Sequence, residues 1–224
     1  RDRSPSRGLG DVYKRQKHHY MLHAIDSEIV EAILEGITEK KYLELVAIGK
    51  KQQERKIKLY PIKLYVSTRN GREYVLGHVS GAAGLDFIRV DRIKKVKTGI
   101  RCDEYQKFEN EYQANKSYLW GVSSGSAKDI THIEMTVRAA EGEEFIVRRL
   151  EREKRNGHVY KITDQQYKYV VDTYDAMELM PWIRTFMGRI EKLESSNPQL
   201  KKKFDQDMEQ LYSMYFGEAQ NDIS

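Results

Sequence analysis

The sequence contains a single cysteine, Cys102, among its 224 residues. One cysteine cannot supply a disulfide framework or a thiolate metal site, and this usage is typical of a reducing compartment. No apolar run approaches the ~18 residues that a membrane-spanning helix needs, and the first residues lack the apolar core of a secretory leader. We therefore expect a cytoplasmic protein with no membrane partner, no metal and no cofactor.

Aromatic residues, in contrast, are well represented, with 15 Tyr, 6 Phe and 2 Trp. A disordered chain would be poor in them, so the sequence predicts a folded protein. The length fits one large domain or two small ones. The formal net charge is only +5, which by itself does not indicate a nucleic-acid partner.

The first sixteen residues differ in character from the rest of the chain. Residues 11–16, DVYKRQ, are the translation of the end sequence of a common sequencing-library transposon adapter. We expect residues 1–16 to be unstructured adapter read-through, the alternative being a basic, disordered natural arm. Without them the chain has 34 basic and 32 acidic residues, a net charge of +2 over 208 residues. The same expectation implies that a native segment precedes residue 17.

The first half of the chain changes from helical to strand periodicity. Residues 17–38 are predicted as a linker and a lead-in helix, because apolar residues recur there at helical spacing. Short apolar strands separated by turn signals such as Asn70-Gly71 follow between residues 39 and 101. One of these strands is predicted to run from residue 87 to 96. The pattern indicates a small, strongly bent sheet or barrel.

The second half predicts a different domain. The polar stretch 102–129 is predicted as a linker, and residues 130–216 follow the β-α-β-β-α-β order of a ferredoxin-like domain with a final helix. Gly157 is expected to end the first helix in a left-handed conformation. The final helix carries an apolar stripe that needs a partner surface, in cis or from another subunit: Leu200, Phe204, Met208, Leu211 and Tyr215. Residues 217–224 are a tail, and the whole chain is α+β.

One short motif matches a catalytic signature. Residues 121–125, GVSSG, fit G-x-S-x-G, but a nucleophile elbow needs a strand before the serine and a helix after it. The residues after this loop alternate like a strand, so we expect a plain loop and no enzyme. His18, His19 and His23 have no cysteine or carboxylate partner at ligand spacing, which predicts surface histidines rather than a metal site.

A local charge cluster is more informative. Six basic residues between positions 89 and 101 meet one acid, Asp91: Arg89, Arg92, Lys94, Lys95, Lys97 and Arg101. Guanidinium groups spaced along a strand suit bidentate phosphate binding, and strand alternation places Arg89 and Asp91 on one face unless a bulge intervenes. The alternative is a solvated basic edge strand that prevents edge-to-edge pairing.

Three segments together resemble the WYL-domain regulators of bacteria, over about residues 25–215. The first is REYVLGHV at 72–79, where family members show Trp-Tyr-Leu. The second is IRVDRI at 88–93, which is similar to the family's Phe-Arg-Leu-Asp-Arg-Ile run. The third is residues 170–190, which resemble the family's C-terminal extension. The resemblance implies a small Sm/SH3-like β-barrel followed by a ferredoxin-like extension. It also implies a regulator whose upstream helix-turn-helix domain binds DNA and whose barrel senses a ligand, for some members single-stranded DNA or another nucleotide.

Matched position by position, the first segment agrees with the family motif in part. Tyr74 matches the motif tyrosine, whereas Glu73 stands where tryptophan is expected and Val75 where leucine is expected. His78 lies where an aromatic residue often follows. The missing tryptophan leaves the family signature incomplete and removes a base-stacking surface at position 73.

The later segment retains both family arginines, Arg89 and Arg92. The resemblance implies that they hold phosphates, that Tyr74 offers a stacking surface or a hydroxyl, and that peripheral charge comes from Lys63 and Arg72. We therefore expect a ligand-sensing, homodimeric effector region that binds single-stranded nucleic acid or a nucleotide. The alternative is a protein-interaction module with no nucleotide ligand, in which Glu73 marks an altered pocket.

Overall fold

The computed structural model of the chain describes residues 27–49, 51–67 and 70–217. The predictions for residues 1–16 and for His18, His19 and His23 lie outside these ranges. The chain divides between Ala114 and Asn115 into two compact units, each built on an antiparallel sheet with helices. Within the described ranges, the helices are too short or too polar to cross a membrane.

The first unit contains a helix, five strands and a second helix. They are α1 (Ser27–Thr38), β1 (Lys41–Ile48), β2 (Glu54–Val66), β3 (Glu73–Val79), β4 (Leu85–Arg89), β5 (Ile93–Arg101) and α2 (Tyr105–Asn115). The strand order in the sheet is β4-β3-β2-β1-β5, and every neighbouring pair is antiparallel. α1 places Ile29 and Ile33 against the sheet, where their side chains are buried with Leu43, Leu59 and Val75.

The described strands form an open sheet rather than the predicted closed barrel. β4 and β5 are its two edges and are not hydrogen-bonded neighbours in the strand order. The strand predicted from residue 87 to 96 is interrupted, because Val90–Arg92 forms a 3-10 turn that buries Val90. Before the turn the chain forms β4, which pairs with β3, and after it the chain forms β5, which pairs with β1. The Asn70-Gly71 turn is present, and Gly71 has the positive φ, 66°, that glycine tolerates.

The segment predicted as a linker, 102–129, contains α2. Tyr105 and Phe108 on this helix are almost fully buried against the first unit. The Tyr105 hydroxyl donates a hydrogen bond to the Pro61 carbonyl oxygen, and Lys40 forms an ion pair with Glu109 at 3.0 Å. These contacts explain why a polar stretch is helical here, since tertiary packing outweighs weak local propensity.

The second unit follows the predicted order of strands and helices. Its elements are β6 (Thr131–Arg138), α3 (Glu144–Glu153), β7 (His158–Lys161), β8 (Gln166–Thr173), α4 (Met180–Arg184), β9 (Ile190–Ser195) and α5 (Pro198–Phe216). The strand order is β7-β8-β6-β9. Alternate residues of the central strand β6 (Ile133, Met135 and Val137) are fully buried beneath the helices.

α5 is buried only over its first turns. Leu200 and Phe204 lie in the core of the second unit, whereas Met208, Leu211 and Tyr215 of the same stripe are 38%, 36% and 75% exposed. Two of the five residues of the predicted stripe are therefore covered in cis, and the other three remain at the surface.

Gly157 has a different role from the predicted one. The left-handed residue after α3 is Arg155, with φ of 49°. A Cβ at Gly157 would overlap the ring of Tyr169, which is fully buried. Glycine is therefore required at this position by close packing rather than by backbone conformation.

Candidate ligand-binding site

The candidate site lies on the outer face of β2, β3 and β4. Side chains alternate along a strand, and Val75 points into the core of the first unit. Tyr74, Leu76 and His78 therefore occupy the opposite, outer face of β3. Glu73, the residue in place of the motif tryptophan, lies on the other side of the strand from Tyr74.

Strand register brings the predicted site residues together in rows. Across β2, β3 and β4 the rows are Tyr65–Tyr74–Arg89, Lys63–Leu76–Phe87 and Tyr60–His78–Leu85. Residues paired across strands share one face. Four of the six predicted site residues, Lys63, Tyr74, His78 and Arg89, thus lie on one surface.

Arg89 is held by a carboxylate two residues away. Its Nε donates to Asp91 Oδ1 at 2.9 Å, and its Nη2 donates to Asp91 Oδ2 at 2.5 Å. This bidentate pair raises the pKa of Arg89 above its ordinary value. The arginine is permanently charged and oriented, but it already has a counter-ion.

The other two predicted arginines act on the same carboxylate. Partial burial raises the pKa of Asp91, but the hydrogen bond from Arg89 and the charges of Arg89, Arg72 and Arg92 lower it below the ordinary value. Asp91 therefore contacts Arg89 and lies within the electrostatic influence of Arg72 and Arg92, and we call Arg72, Arg89, Arg92 and Asp91 the arginine cluster. It has two more positive than negative charges, which suits a doubly charged anion.

An aromatic group borders the arginine cluster. The Phe87 ring meets Tyr65 edge-to-face with ring centroids 5.3 Å apart, and meets Tyr74 in the same manner at 6.4 Å. Sequence reasoning missed Phe87. The alternation of Leu85, Phe87 and Arg89 along β4 is the signal that places its ring on the outer face.

α2 lies over this outer face, with Phe108 on Tyr60 and His78 and with Tyr112 beside Lys63 and Tyr65. Phe108 stacks on His78 with centroids 4.3 Å apart and planes inclined by 10°, so His78 is part of a packed contact. The Tyr112 and Tyr65 hydroxyls are 3.1 Å apart, and Lys63 Nζ donates to the Tyr112 hydroxyl at 3.4 Å. Burial, and then the Tyr112 hydroxyl, raise the pKa of Tyr65. Its phenol is therefore neutral at physiological pH and can donate a hydrogen bond.

The GVSSG segment forms a loop rather than an elbow. Residues 121–126 lead into a 3-10 turn, Ala127–Asp129, and then into β6. Ser123 Oγ donates to Asp175 Oδ2 at 3.4 Å, a long contact with a carboxylate and not with a base oriented by a third group. The parts of the chain that the structure describes hold no cluster of three His, Cys, Asp or Glu side chains able to bind a metal.

A comparison with solved structures finds two that match this chain. One is the proteasome accessory factor B/C (PafBC) of Arthrobacter aurescens, 13% identical with a TM-score of 0.39 over 85% of this chain and 27% of that chain. The other is a CRISPR Cas-related protein, 13% identical with a TM-score of 0.54 over 86% of this chain and 52% of that chain. This second likeness agrees with the WYL-like α+β fold that the sequence resemblance implies. At this identity it concerns the fold alone.

No protein-family model and no curated protein matches the chain. Its extent also differs from that of the two structures, since it spans 27% of the first and 52% of the second.

Proposed function

We propose that the chain is the ligand-sensing, dimerising effector region of a cytoplasmic bacterial transcription regulator of the WYL type. Its first unit binds single-stranded DNA or a nucleotide-type ligand through the arginine cluster and the neighbouring aromatic rings. An Sm-like sheet followed by a ferredoxin-like extension is the architecture that this family implies. The region binds its ligand and has no catalytic role, and DNA binding belongs to a helix-turn-helix domain upstream.

The arginine cluster is the observation that carries this proposal. Guanidinium groups match phosphate oxygens in a bidentate manner, and aromatic rings stack on bases without regard to sequence. Tyr74 lies directly opposite Arg89 on the neighbouring strand, so a phosphate and a base of one nucleotide can reach both. Asp91 pre-orients Arg89 before a ligand arrives, which reduces the entropy lost on binding.

A second candidate function is a protein-interaction module without a nucleotide ligand. The observation that favours it is the end of α5, where Tyr212, Met214, Tyr215 and Phe216 are each more than 60% exposed. Exposed apolar groups of this size are typical of association surfaces. This surface also supports dimerisation within the first proposal.

Fluorescence anisotropy of a labelled single-stranded oligonucleotide separates the two functions. The proposal predicts salt-dependent binding to the intact chain, weak competition by the double-stranded form, and a loss of affinity in Arg89→Ala and in Arg92→Ala. Each phosphate contact contributes about −0.7 to the log–log salt slope on a single strand. Arg138→Ala, an exposed arginine of the second unit, is the control. Binding that neither cluster variant weakens would contradict the proposal.

A further inference from the structure

Two tyrosine hydroxyls from different elements meet beside the aromatic rings of the candidate site. Tyr65 lies on β2 and Tyr112 lies in the last turn of α2, and their hydroxyl oxygens are 3.1 Å apart. The Lys63 ammonium group donates to the Tyr112 hydroxyl at 3.4 Å. We call Lys63, Tyr65 and Tyr112 the donor group.

The donor group has more hydrogen-bond donors than acceptors. One of the two phenol hydrogens lies between the two hydroxyl oxygens, whichever tyrosine donates it, and the other phenol hydrogen is left over. The Lys63 ammonium group has three N–H donors and no acceptor, and the Tyr112 hydroxyl takes one of them. Among the described residues, no other protein group forms a hydrogen bond with these three side chains. One hydroxyl hydrogen and two N–H groups therefore remain for water or for a ligand.

The donor group lies at the margin of α2 and not beneath it. Lys63 is exposed, and Tyr65 and Tyr112 are half-buried. The Lys63 ammonium group lies 5.9 Å and 5.7 Å from the centroids of the two tyrosine rings, so a solvent-exposed group borders both. Burial raises the pKa of Tyr65, which keeps its phenol protonated at physiological pH. The remaining donors are therefore accessible to a ligand.

Two ordinary roles account for part of the donor group. The hydrogen bond between Tyr65 and Tyr112 helps to dock α2 on the sheet. Lys63 lies where β2 has no β1 partner, so its charge also guards a strand edge. Neither role uses the remaining hydroxyl hydrogen, and neither explains why the donors lie beside rings on which a base can stack.

The donor group and the arginine cluster lie at opposite sides of the aromatic rings. The Phe87 ring contacts both Tyr65 and Tyr74 edge-to-face. Tyr65, Tyr74 and Arg89 form one row across three strands, and the ends of this row are about 10 Å apart. A nucleotide has a similar extent from its phosphate to the far edge of its base. A nucleotide whose phosphate contacts Arg89 and whose base stacks on Tyr74 therefore brings its base edge to the donor group.

We propose that the donor group is a base-edge subsite that donates hydrogen bonds to a carbonyl oxygen of the base. It then favours uracil, thymine and guanine over cytosine and adenine. The inference rests on the proposed function for the class of ligand and deepens it, since it names the bases that the site selects. The thymine and guanine carbonyl oxygens accept hydrogen bonds, whereas the amino groups of cytosine and adenine donate them. An amino group that faces the Lys63 ammonium group leaves donors of both without an acceptor, which disfavours those bases.

The test compares two ligands of equal size that differ at the pyrimidine edge. Anisotropy is measured for the intact chain with labelled, 5′-phosphorylated oligomers of deoxyuridylate and deoxycytidylate, each about 6 nucleotides long. Wild type should bind deoxyuridylate about three- to tenfold more tightly, the usual net effect of one hydrogen bond.

The informative variant removes both hydroxyls. Tyr65→Phe alone and Tyr112→Phe alone each leave one hydroxyl hydrogen free to donate, so the double variant Tyr65→Phe/Tyr112→Phe is needed. It keeps both rings and should lose most of the preference, through weaker binding of deoxyuridylate alone. Unchanged binding of deoxycytidylate shows that the first unit of the variant is folded.

A matched control and the possible outcomes complete the experiment. Tyr160→Phe/Tyr167→Phe removes two hydroxyls from the second unit and should behave as wild type. Arg89→Ala should weaken both oligomers by the same factor, so it tests the proposed function separately. Equal affinity of wild type for the two oligomers, or an undiminished preference in Tyr65→Phe/Tyr112→Phe, would overturn the inference and leave the proposed function standing. Absence of binding by wild type would overturn both.

Discussion

Arg89 and Asp91 are joined by two parallel hydrogen bonds, of 2.9 and 2.5 Å, across a 3-10 turn. The guanidinium group that the family resemblance assigns to phosphate binding is thus neutralised by the protein itself. A ligand phosphate has to share or replace this carboxylate. Asp91 therefore both orients Arg89 and competes with the ligand for it.

The competition predicts that Asp91→Asn binds single-stranded oligonucleotides more tightly than wild type. The substitution keeps the shape of the side chain but removes its negative charge from the arginine cluster. We expect a several-fold lower Kd in about 50 mM salt, with a smaller gain at higher salt because screening weakens the charge effect. Asp86→Asn, on the same strand, removes an equal charge from an exposed position and should change the affinity little. A weaker Asp91→Asn variant would show that the carboxylate only positions Arg89.

Tyr74 and His78 are predicted to differ in their effect on binding. Tyr74 borders the arginine cluster, so Tyr74→Ala should weaken binding by about 1–3 kcal/mol, the usual contribution of one stacked base. His78 is covered by Phe108, and His78→Gln should leave the Kd unchanged. Both variants are compared by anisotropy against wild type. A larger loss in His78→Gln than in Tyr74→Ala would place the ligand beside Phe108 instead of beside the arginine cluster.

Gly77 is predicted to be essential for the stability of the first unit. A Cβ there would overlap the Tyr60 carbonyl oxygen on β2, which is backbone and cannot turn aside. Gly77→Ala should lower the free energy of unfolding by about 1–3 kcal/mol, as overpacking usually does. The control is Gly84→Ala, whose Cβ would lie 3.3 Å from the movable Glu111 Oε1. Urea denaturation with equal midpoints for the two variants would contradict this account.

The stability of the second unit is predicted to fall slightly as the pH rises. His132 Nδ1 lies 2.8 Å from Asp172 Oδ1, and this hydrogen bond, with that of Glu134, raises the pKa of His132 above its ordinary 6.5. The charged form is favoured in the folded state, so the stabilisation is present below pH 6.5 and is lost as the pH passes the raised value. The side chain is half exposed, so the effect should be below about 1 kcal/mol.

Thermal unfolding at about pH 6 and pH 8.5 measures this effect. His132→Gln should unfold with a smaller difference between the two pH values than wild type. An unchanged difference would mean that the His132–Asp172 contact contributes nothing to folding.

The exposed end of α5 is predicted to mediate dimerisation. Leu211 and Tyr215 continue the stripe that Leu200 and Phe204 begin, but nothing within the second unit covers them among the described residues. Leu211→Ser/Tyr215→Ser should shift a dimer toward monomer in sedimentation experiments without lowering the melting temperature of the monomer. Gln206→Ser on the same helix is the control. A wild-type chain that is monomeric at tens of micromolar would exclude this role.

Local pattern predicted most strands and helices, because alternation and helical spacing are properties of neighbouring residues. Local pattern could not predict that the first sheet stays open, because closure depends on which strands pair that are distant in the sequence. In this sheet the turn at Val90–Arg92 directs β5 away from β4, so that the two strands lie at opposite edges. Local pattern also missed α2. Tyr105, Phe108 and Tyr112 have helical spacing, but the polar residues between them obscured the pattern.

The candidate site was predictable in part for the same reason. Alternation places Arg89 and Asp91 on one face, and they do meet, although through a turn instead of a continuous strand. Phe87 and the covering of His78 by α2 depend on contacts between elements that are distant in the sequence. The family motif indicated residue types, but it could not show that the charges of Arg72 and Arg92 also lower the pKa of Asp91.

The most direct test of the central claim is to observe the guanidinium groups themselves during binding. The NMR signals of the arginine Nε–Hε groups are recorded while a short 5′-phosphorylated oligothymidylate is added to the intact chain, with assignments from single Arg→Lys variants. The account predicts that the signals of Arg72, Arg89 and Arg92 shift together and saturably. Signals of these three that stay fixed while the oligonucleotide binds elsewhere would contradict it.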